Sequence, residues 1–202
     1  MLIVIPKGRL LGEIKSLLSS IGINFDDSSR KLILDTSKKD VKVAILRSWD
    51  IPKFVNKGIA DIGFLGKDVL NEASDSENYY EIMDLKLGLC RLSLASTIDI
   101  SKIDKPIVAT KYPKTSERYF NEKFKDVEII SLKGAIEIAP ILGLSDCIVD
   151  LVQTGKTLKE NGLKELDVIA QITSRVIVNK SSFKKNADFY KKIFKSLEDN
   201  IE

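Results

Sequence analysis

The sequence predicts an α/β fold. Short strand-like apolar runs alternate along the chain with segments whose apolar residues recur at helical spacing, the rhythm of helices packed on a sheet. Runs such as Leu2-Ile3-Val4-Ile5 and Cys147-Ile148-Val149 are apolar at consecutive positions, as buried strands are. The length, 202 residues, is enough to bury a core and to form one large or two small α/β lobes.

Residues 2–5 read as a buried strand, ended by the turn Pro6-Lys7-Gly8-Arg9. Leu10, Leu11, Ile14, Leu17, Leu18 and Ile21 then follow one helix face, which Gly22 closes. Strands are expected over 31–36 and 41–47, with a short helix over 50–56 ending near Gly58. A strand over 61–65 leads through Gly66-Lys67-Asp68 into a brief helix. The stretch 83–95 contains a long extended segment that carries the chain into a second lobe. There a strand over 106–110, a helix over 115–123, a strand over 127–132, a helix over 134–141 and a strand over 147–151 keep the rhythm. A helix-compatible segment then ends at Asn161-Gly162, and two strand-like runs between 166 and 178 return the chain to the first lobe. The tail, 181–201, reads as one basic amphipathic helix. Phe183, Phe189, Tyr190, Ile193, Phe194 and Leu197 form its apolar face, and its lysines form a solvated one. The segments 74–78 and 96–105 read as loops. These boundaries give lobe I as 1–87 plus 171–202 and lobe II as 88–170.

Composition excludes several function classes. Hydrophobic residues at 44% and charged residues at 30% are an ordinary soluble balance. A net charge of +3 is too small to argue for nucleic acid and suits small anionic substrates. Cys90 and Cys147 stand among apolar neighbours and read as reduced, buried thiols. With no apolar span of membrane length and no signal-peptide pattern, the cytoplasm is the expected compartment. Histidine is absent, which excludes Ser-His-Asp and Cys-His machinery and the usual histidine-bearing zinc sites. Catalysis must then run on Lys, Arg, Asp, Glu, hydroxyls, backbone and bound metal, which favours charge stabilisation over proton shuttling.

The run Asp150-Leu151-Val152-Gln153-Thr154-Gly155-Lys156-Thr157-Leu158 is the most informative stretch. A carboxylate at a strand end, a Thr-Gly-Lys-Thr turn and a helix start can together cradle phosphate through backbone N–H groups and two hydroxyls. The acid can hold sugar hydroxyls or the shell of a Mg²⁺ ion. A threonine N-cap with a glycine turn uses the same residues for structure alone. An ATPase P-loop is excluded by spacing, because its first glycine would fall at Asp150.

Cations stand at other strand boundaries. Lys7 and Arg9 flank Gly8 between the first strand and first helix, where open α/β sheets place ligand-binding residues. Arg30 precedes the 31–36 strand, and Arg47 follows four apolar residues that should bury its stem and direct its head. Lys67 follows the glycine turn of Gly63-Phe64-Leu65-Gly66. Together with Thr154 to Thr157, these positions suggest one cleft lined for polyphosphate.

The Asp150 to Thr157 turn resembles the loop by which phosphoribosyltransferases grip phosphoribosyl diphosphate (PRPP). Leu151 stands where the common type I loop carries a second acid. A wider resemblance is more specific. Ile5-Pro6-Lys7-Gly8-Arg9-Leu10, Ser29-Arg30-Lys31-Leu32-Ile33, Leu46-Arg47-Ser48-Trp49-Asp50-Ile51-Pro52 and Ala60-Asp61-Ile62-Gly63 resemble, in order, successive blocks of the ATP phosphoribosyltransferase family. So do Gly66-Lys67-Asp68-Val69-Leu70, Cys90-Arg91-Leu92-Ser93, Ala109-Thr110-Lys111-Tyr112-Pro113, Glu137-Ile138-Ala139-Pro140 and residues 150–163.

That resemblance covers nearly the whole chain. It implies two lobes similar to type II periplasmic binding proteins, with the active site in the cleft between them. It also implies the first step of histidine biosynthesis, in which N1 of ATP's adenine is joined to C1 of PRPP and pyrophosphate is released. Without a further C-terminal regulatory domain, the chain is similar to the family's short form. This implies a hetero-octamer with a regulatory subunit similar to histidyl-tRNA synthetase. Thr154, Gly155, Lys156 and Thr157 are expected on the 5-phosphate, Asp150 and Glu137 on the ribose. Arg9 and Arg30 are the expected catalytic cations on pyrophosphate and ATP phosphates, supported by Lys7, Arg47 and Lys67. Mg²⁺ is expected to be held mainly by substrate phosphates. Two rivals share the fold: a cytosolic anion- or nucleotide-binding module without chemistry, and a regulatory subunit whose enzyme site has decayed.

Overall fold

The computed structural model describes residues 1–28, 31–74, 76–123 and 126–201. The chain separates into two compact units, Met1–Gly88 with Thr173–Glu202, and Leu89–Ile172. In the first, β1 (Leu2–Pro6) leads to α1 (Leu11–Ser20), β2 (Ile33–Asp35), β3 (Lys42–Leu46), α2 (Ile51–Asn56), β4 (Ile62–Gly66), α3 (Lys67–Glu72) and β5 (Tyr79–Asp84). The second holds β6 (Cys90–Ser96), β7 (Ile107–Thr110), α4 (Pro113–Lys123), β8 (Glu128–Ser131), α5 (Ile138–Ile141), β9 (Cys147–Val152), α6 (Lys156–Glu160) and β10 (Lys164–Ile172). The chain re-enters the first unit as β11 (Ser174–Asn179), α7 (Lys180–Lys185) and α8 (Ala187–Glu198).

The first sheet runs β2-β3-β1-β4-β11-β5, with β3, β1 and β4 mutually parallel and β11 antiparallel to both of its neighbours. Its consecutive apolar residues follow from burial of both faces. Ile3 and Ile5 of β1 pack with Ile14, Leu18, Phe194 and Leu197 of α1 and α8. The intervening Val4 packs on the opposite face with Ile51, Val55 and Val69 of α2 and α3. Each such side chain, removed from water, contributes about 1.5–3 kcal/mol. Helix α2 lies close because β4 offers Gly63, where a Cβ would come within 2.8 Å of Ile51 and 2.9 Å of Val55. α1 ends in a Schellman motif: the Ile23 amide donates to Leu18 O and the Gly22 amide to Ser19 O, both at 2.9 Å. Asn179 binds the return of the chain to the α2 region. Its Nδ2 donates to Val55 O at 2.8 Å, while its Oδ1 accepts from the Ser181 and Ser182 amides that open α7.

The second sheet runs β10-β6-β9-β7-β8, with β9, β7 and β8 parallel and β6 antiparallel to β9 and β10. Phe120 of α4 fills one face with Leu92, Leu94, Val108, Cys147 and Val149. Ala139 of α5 and Leu158 of α6 cover the other, against Ala95, Ala109, Ile148 and Val152. Cys90 and Cys147 are buried and in no disulfide, and burial pushes the Cys147 thiol up to about 12.

Several expected elements differ. The 83–95 segment is two strands, β5 and β6, because Lys86 (φ 55°) and Gly88 (φ 62°) turn the backbone between them. The helix expected over 134–141 shrinks to α5, since Ala135 adopts a left-handed φ of 49° just after Gly134. The single tail helix is two, α7 and α8. Asn186, at φ −152° and ψ 61°, breaks the pattern and caps the second helix by accepting from the Phe189 amide. Tyr190, Phe194 and Leu197 are buried on the tail's apolar face, while Phe189 stays 40% exposed. The strand expected over 31–36 is confined to three residues at the sheet edge, with Leu32 exposed. Of the loop expected over 74–78, residue 75 lies outside the described residues.

Candidate active site

Parallel strands deliver their carboxyl ends, and whatever follows them, to one edge of a sheet. In the first unit that edge gathers four of the expected cations. Lys7 and Arg9 occupy the turn after β1, around Gly8 at φ 97°. Arg47 follows β3 directly, and the Lys7 amide donates to Leu46 O at 2.7 Å, continuing the β1–β3 register past its last pair. Lys67 follows β4 and starts α3. Arg47 is exposed rather than sunk by its stem, because β3 has ended at Leu46 and the chain bends at once into a short 3₁₀ turn. Lys67 is tied by an ion pair to Glu81 Oε2 at 2.6 Å, and Glu81 also accepts from Arg175 Nε at 3.0 Å. Arg30 lies outside the described residues.

The second unit assembles the other set. A cavity of about 230 Å³ is lined by Glu137, Asp150, Gln153, Thr154, Gly155, Lys156 and Thr157 among others. Asp150 stands near the end of β9 and accepts its neighbour Leu151's amide at 2.9 Å. Gly155 takes a left-handed φ of 76°, a conformation that costs a side-chain-bearing residue about 1 kcal/mol or more. It thereby turns the chain from β9 into the five-residue α6. Thr154 Oγ1 accepts from the Lys156 amide at 3.4 Å, and Lys156 pairs loosely with Glu160 at 3.7 Å. Glu137 reaches the cavity from the start of α5. Beneath the neighbouring strand end, the buried Thr110 hydroxyl donates to Val149 O at 2.7 Å and accepts from the Tyr112 amide, which fixes the turn after β7.

The structure therefore brings Lys7, Arg9, Arg47 and Lys67 to one sheet edge of the first unit, and Glu137, Asp150 and Thr154 to Thr157 around one cavity of the second. Sequence reasoning assigned no role to Arg91 or Glu165. Arg91 Nε and Nη2 donate to the two Glu165 oxygens at 2.5 and 2.6 Å, and Nη1 donates to Gln153 O at 3.2 Å. That hydrogen bonding holds the Glu165 carboxyl below its usual range. The partners are 74 residues apart, so no local pattern announces them. Among the described residues no group of three or more Cys, Asp or Glu side chains converges as a metal-ligand set, and no helix is long and apolar enough to cross a membrane.

Fold and site define a class: an α/β protein of two units with cation-bearing and glycine turns at the carboxyl ends of parallel strands. The comparisons narrow that class. The sequence profile describing ATP phosphoribosyltransferase matches residues 47–199. An ATP phosphoribosyltransferase of Citrifermentans bemidjiense is 44% identical over 208 aligned positions, covering 98% of this chain and 97% of the relative. One from Listeria monocytogenes is 44% identical, covering 99% and 95%. The chain belongs to the ATP phosphoribosyltransferase family. Among solved structures, the ATP phosphoribosyl transferase (HisG:HisZ) complex from Thermotoga maritima superposes with a TM-score of 0.84 at 35% identity, covering 100% of this chain and 98% of that one. The periplasmic aliphatic sulphonate binding protein SsuA from Escherichia coli shares the fold at a TM-score of 0.62 and 16% identity, covering 98% and 71%.

Proposed function

We infer that this chain is the catalytic subunit of a short-form ATP phosphoribosyltransferase. It joins N1 of the ATP adenine to C1 of PRPP and expels pyrophosphate, the first step of histidine biosynthesis. Family membership across nearly the whole length supports the activity. The site assignment rests on the single cavity that unites Glu137, Asp150 and the 154–157 turn.

Adenine N1 carries a lone pair and is neutral, so no base is needed to create the nucleophile. The N1–C1 bond forms as the bond from C1 to the pyrophosphate oxygen breaks, and that electron pair leaves with the phosphates. The demanding tasks are aligning two polyanions and stabilising the departing charge. Positioning can supply ~7–11 kcal/mol and a preorganised donor ~3–4 kcal/mol; neither needs histidine.

In this reading Thr154, Gly155, Lys156 and Thr157 hold the 5-phosphate, and Asp150, with Glu137, holds the ribose hydroxyls. Arg9 and Arg30 neutralise pyrophosphate and ATP phosphates, aided by Lys7 and Arg47. Lys67 joins them when it is released from Glu81. Each set belongs to one lobe, 1–87 with 171–202 or 88–170, and transfer requires both to act on the same pair of reactants. Mg²⁺, held mainly by the substrates' phosphates, would lower their negative charge. The complex from Thermotoga maritima pairs HisG with HisZ; by the same logic this chain works in a hetero-octamer with a regulatory subunit similar to histidyl-tRNA synthetase. The cytoplasm, where two buried thiols outside any disulfide stay reduced, is its compartment.

Mixing the chain, alone and with that subunit, with ATP, PRPP and Mg²⁺ tests the reading. Pyrophosphate should appear only when both substrates are present. Binding of either substrate without pyrophosphate release, in both preparations, would instead fit a non-catalytic binding module.

A further inference from the structure

The turn that opens α6 is anchored from a neighbouring strand. Arg91 on β6 stands opposite Val152 in the antiparallel β6–β9 register, so the two side chains share a face of the sheet. From there the guanidinium passes the strand end, and Nη1 donates to the carbonyl of Gln153, the residue just before the Thr-Gly-Lys-Thr turn. Nη2 lies 3.8 Å from where a Cβ on Gly155 would sit. Glu165 on β10 grips the same guanidinium through both oxygens, and Ser93 Oγ donates to Glu165 Oε1 at 2.7 Å. Ser93 is 1% exposed and pairs with Asp150 across the β6–β9 ladder. The relay thus runs from the buried β6 strand through Glu165 and Arg91 to the backbone of the turn.

We propose that Arg91 is a positioning residue for the phosphoribosyl substrate: locked by Glu165, it fixes the Gln153 carbonyl and so aims the backbone donors of the 154–157 turn. In a planar trans peptide the carbonyl of residue 153 and the N–H of residue 154 point to opposite sides. Holding that carbonyl on Arg91 therefore turns the Thr154 N–H away from the guanidinium and sets the start of the turn. The task needs a fork. A guanidinium can engage both carboxylate oxygens and still present a donor to a carbonyl, which a lysine ammonium on a flexible stem does poorly. The proposal rests on reading this turn as the 5-phosphate site of PRPP.

Calorimetric titration of the full chain with PRPP plus Mg²⁺, and separately with ATP, tests it in Arg91→Ala, Arg91→Lys, Glu165→Gln and Thr157→Ala. Arg91→Ala should weaken PRPP binding about tenfold or more, the loss expected for one charge-assisted contact, and leave ATP binding within about twofold. Added guanidinium ion should restore part of the PRPP affinity, which a merely structural defect would not allow. Arg91→Lys and Glu165→Gln should show the same PRPP-selective weakening, and they carry the test if Arg91→Ala does not fold. Unchanged PRPP binding in the folded Arg91 variants, or equal losses for PRPP and ATP, overturns the role of Arg91. If Thr157→Ala also leaves PRPP binding unchanged, the reading of the turn itself fails. A weakened Thr157→Ala beside unaffected Arg91 variants removes only the positioning role.

Discussion

The amide of Lys7 donates to the carbonyl of Leu46 at 2.7 Å. This bond extends the parallel β1–β3 pairing one step beyond Pro6 and Leu46, so the turn bearing Lys7 and Arg9 leaves the sheet beside Arg47. Three cations that are 2 to 40 positions apart in sequence thereby share one sheet edge, without any of them being buried.

Replacing the cations assigned to the leaving group should slow turnover more than it weakens binding. Arg9→Ala and Arg30→Ala are expected to lower kcat at saturating substrates by about 100-fold or more, the cost of one preorganised donor to developing charge. Circular dichroism should remain that of the parent. Unchanged turnover would remove the leaving-group role.

On the other unit the expected loss is in affinity. Thr157→Ala and Asp150→Asn should each raise the KM for PRPP about tenfold, as loss of a hydrogen bond to a charged or sugar group does, and leave the KM for ATP close to that of the parent. Steady-state kinetics with each substrate varied in turn gives the answer.

Stability has its own test at Asn179. Its side chain is 3% exposed, donates to the Val55 carbonyl and accepts from the Ser181 and Ser182 amides in the first turn of α7. Asn179→Ala should cost about 3 kcal/mol, combining a stranded buried carbonyl with a lost helix cap. Denaturant unfolding would show this as a lower midpoint with an unchanged slope.

The pH dependence follows from the ion pair. Hydrogen bonds from Arg91 hold Glu165 below the ordinary glutamate value, which is about 4.3 when unfolded. The contribution is fully present above that value and is lost as pH falls through the lower folded one. Asp167 behaves likewise, held down by Tyr119 and then Lys123. Acid unfolding of Glu165→Gln should therefore show a shallower loss of stability below about pH 4 than the parent.

Much of the fold was legible because burial writes itself into local sequence. Ile3, Val4 and Ile5 alternate between the two faces of a covered sheet, and Leu17, Leu18 and Gly22 spell a helix and its end. Backbone breaks were not legible where the residue carried no turn signature, as at Ala135, or where the apolar spacing ran unbroken past a capping residue, as at Asn186. Ala135 at positive φ shortened one expected helix, and Asn186 split another while keeping the apolar spacing around it. The positions of Lys7, Arg47 and Lys67 at strand ends could be read because strand and turn are neighbours in sequence. The Arg91–Glu165 pair could not, since it joins β6 to β10 only after the sheet has formed. Arg47 is exposed for a related reason: four apolar residues before it say that a strand is buried, not that the residue after its end is.

If this chain joins ATP to PRPP, the product must carry a new bond between adenine N1 and ribose C1. With ¹⁵N-labelled ATP, ¹³C-labelled PRPP, Mg²⁺ and the chain together with its regulatory subunit, NMR should show coupling between adenine N1 and ribose C1, with one pyrophosphate released per bond formed. Pyrophosphate released without that coupling, as in simple hydrolysis of PRPP, or recovery of both substrates intact, would show that the chain does not make this bond.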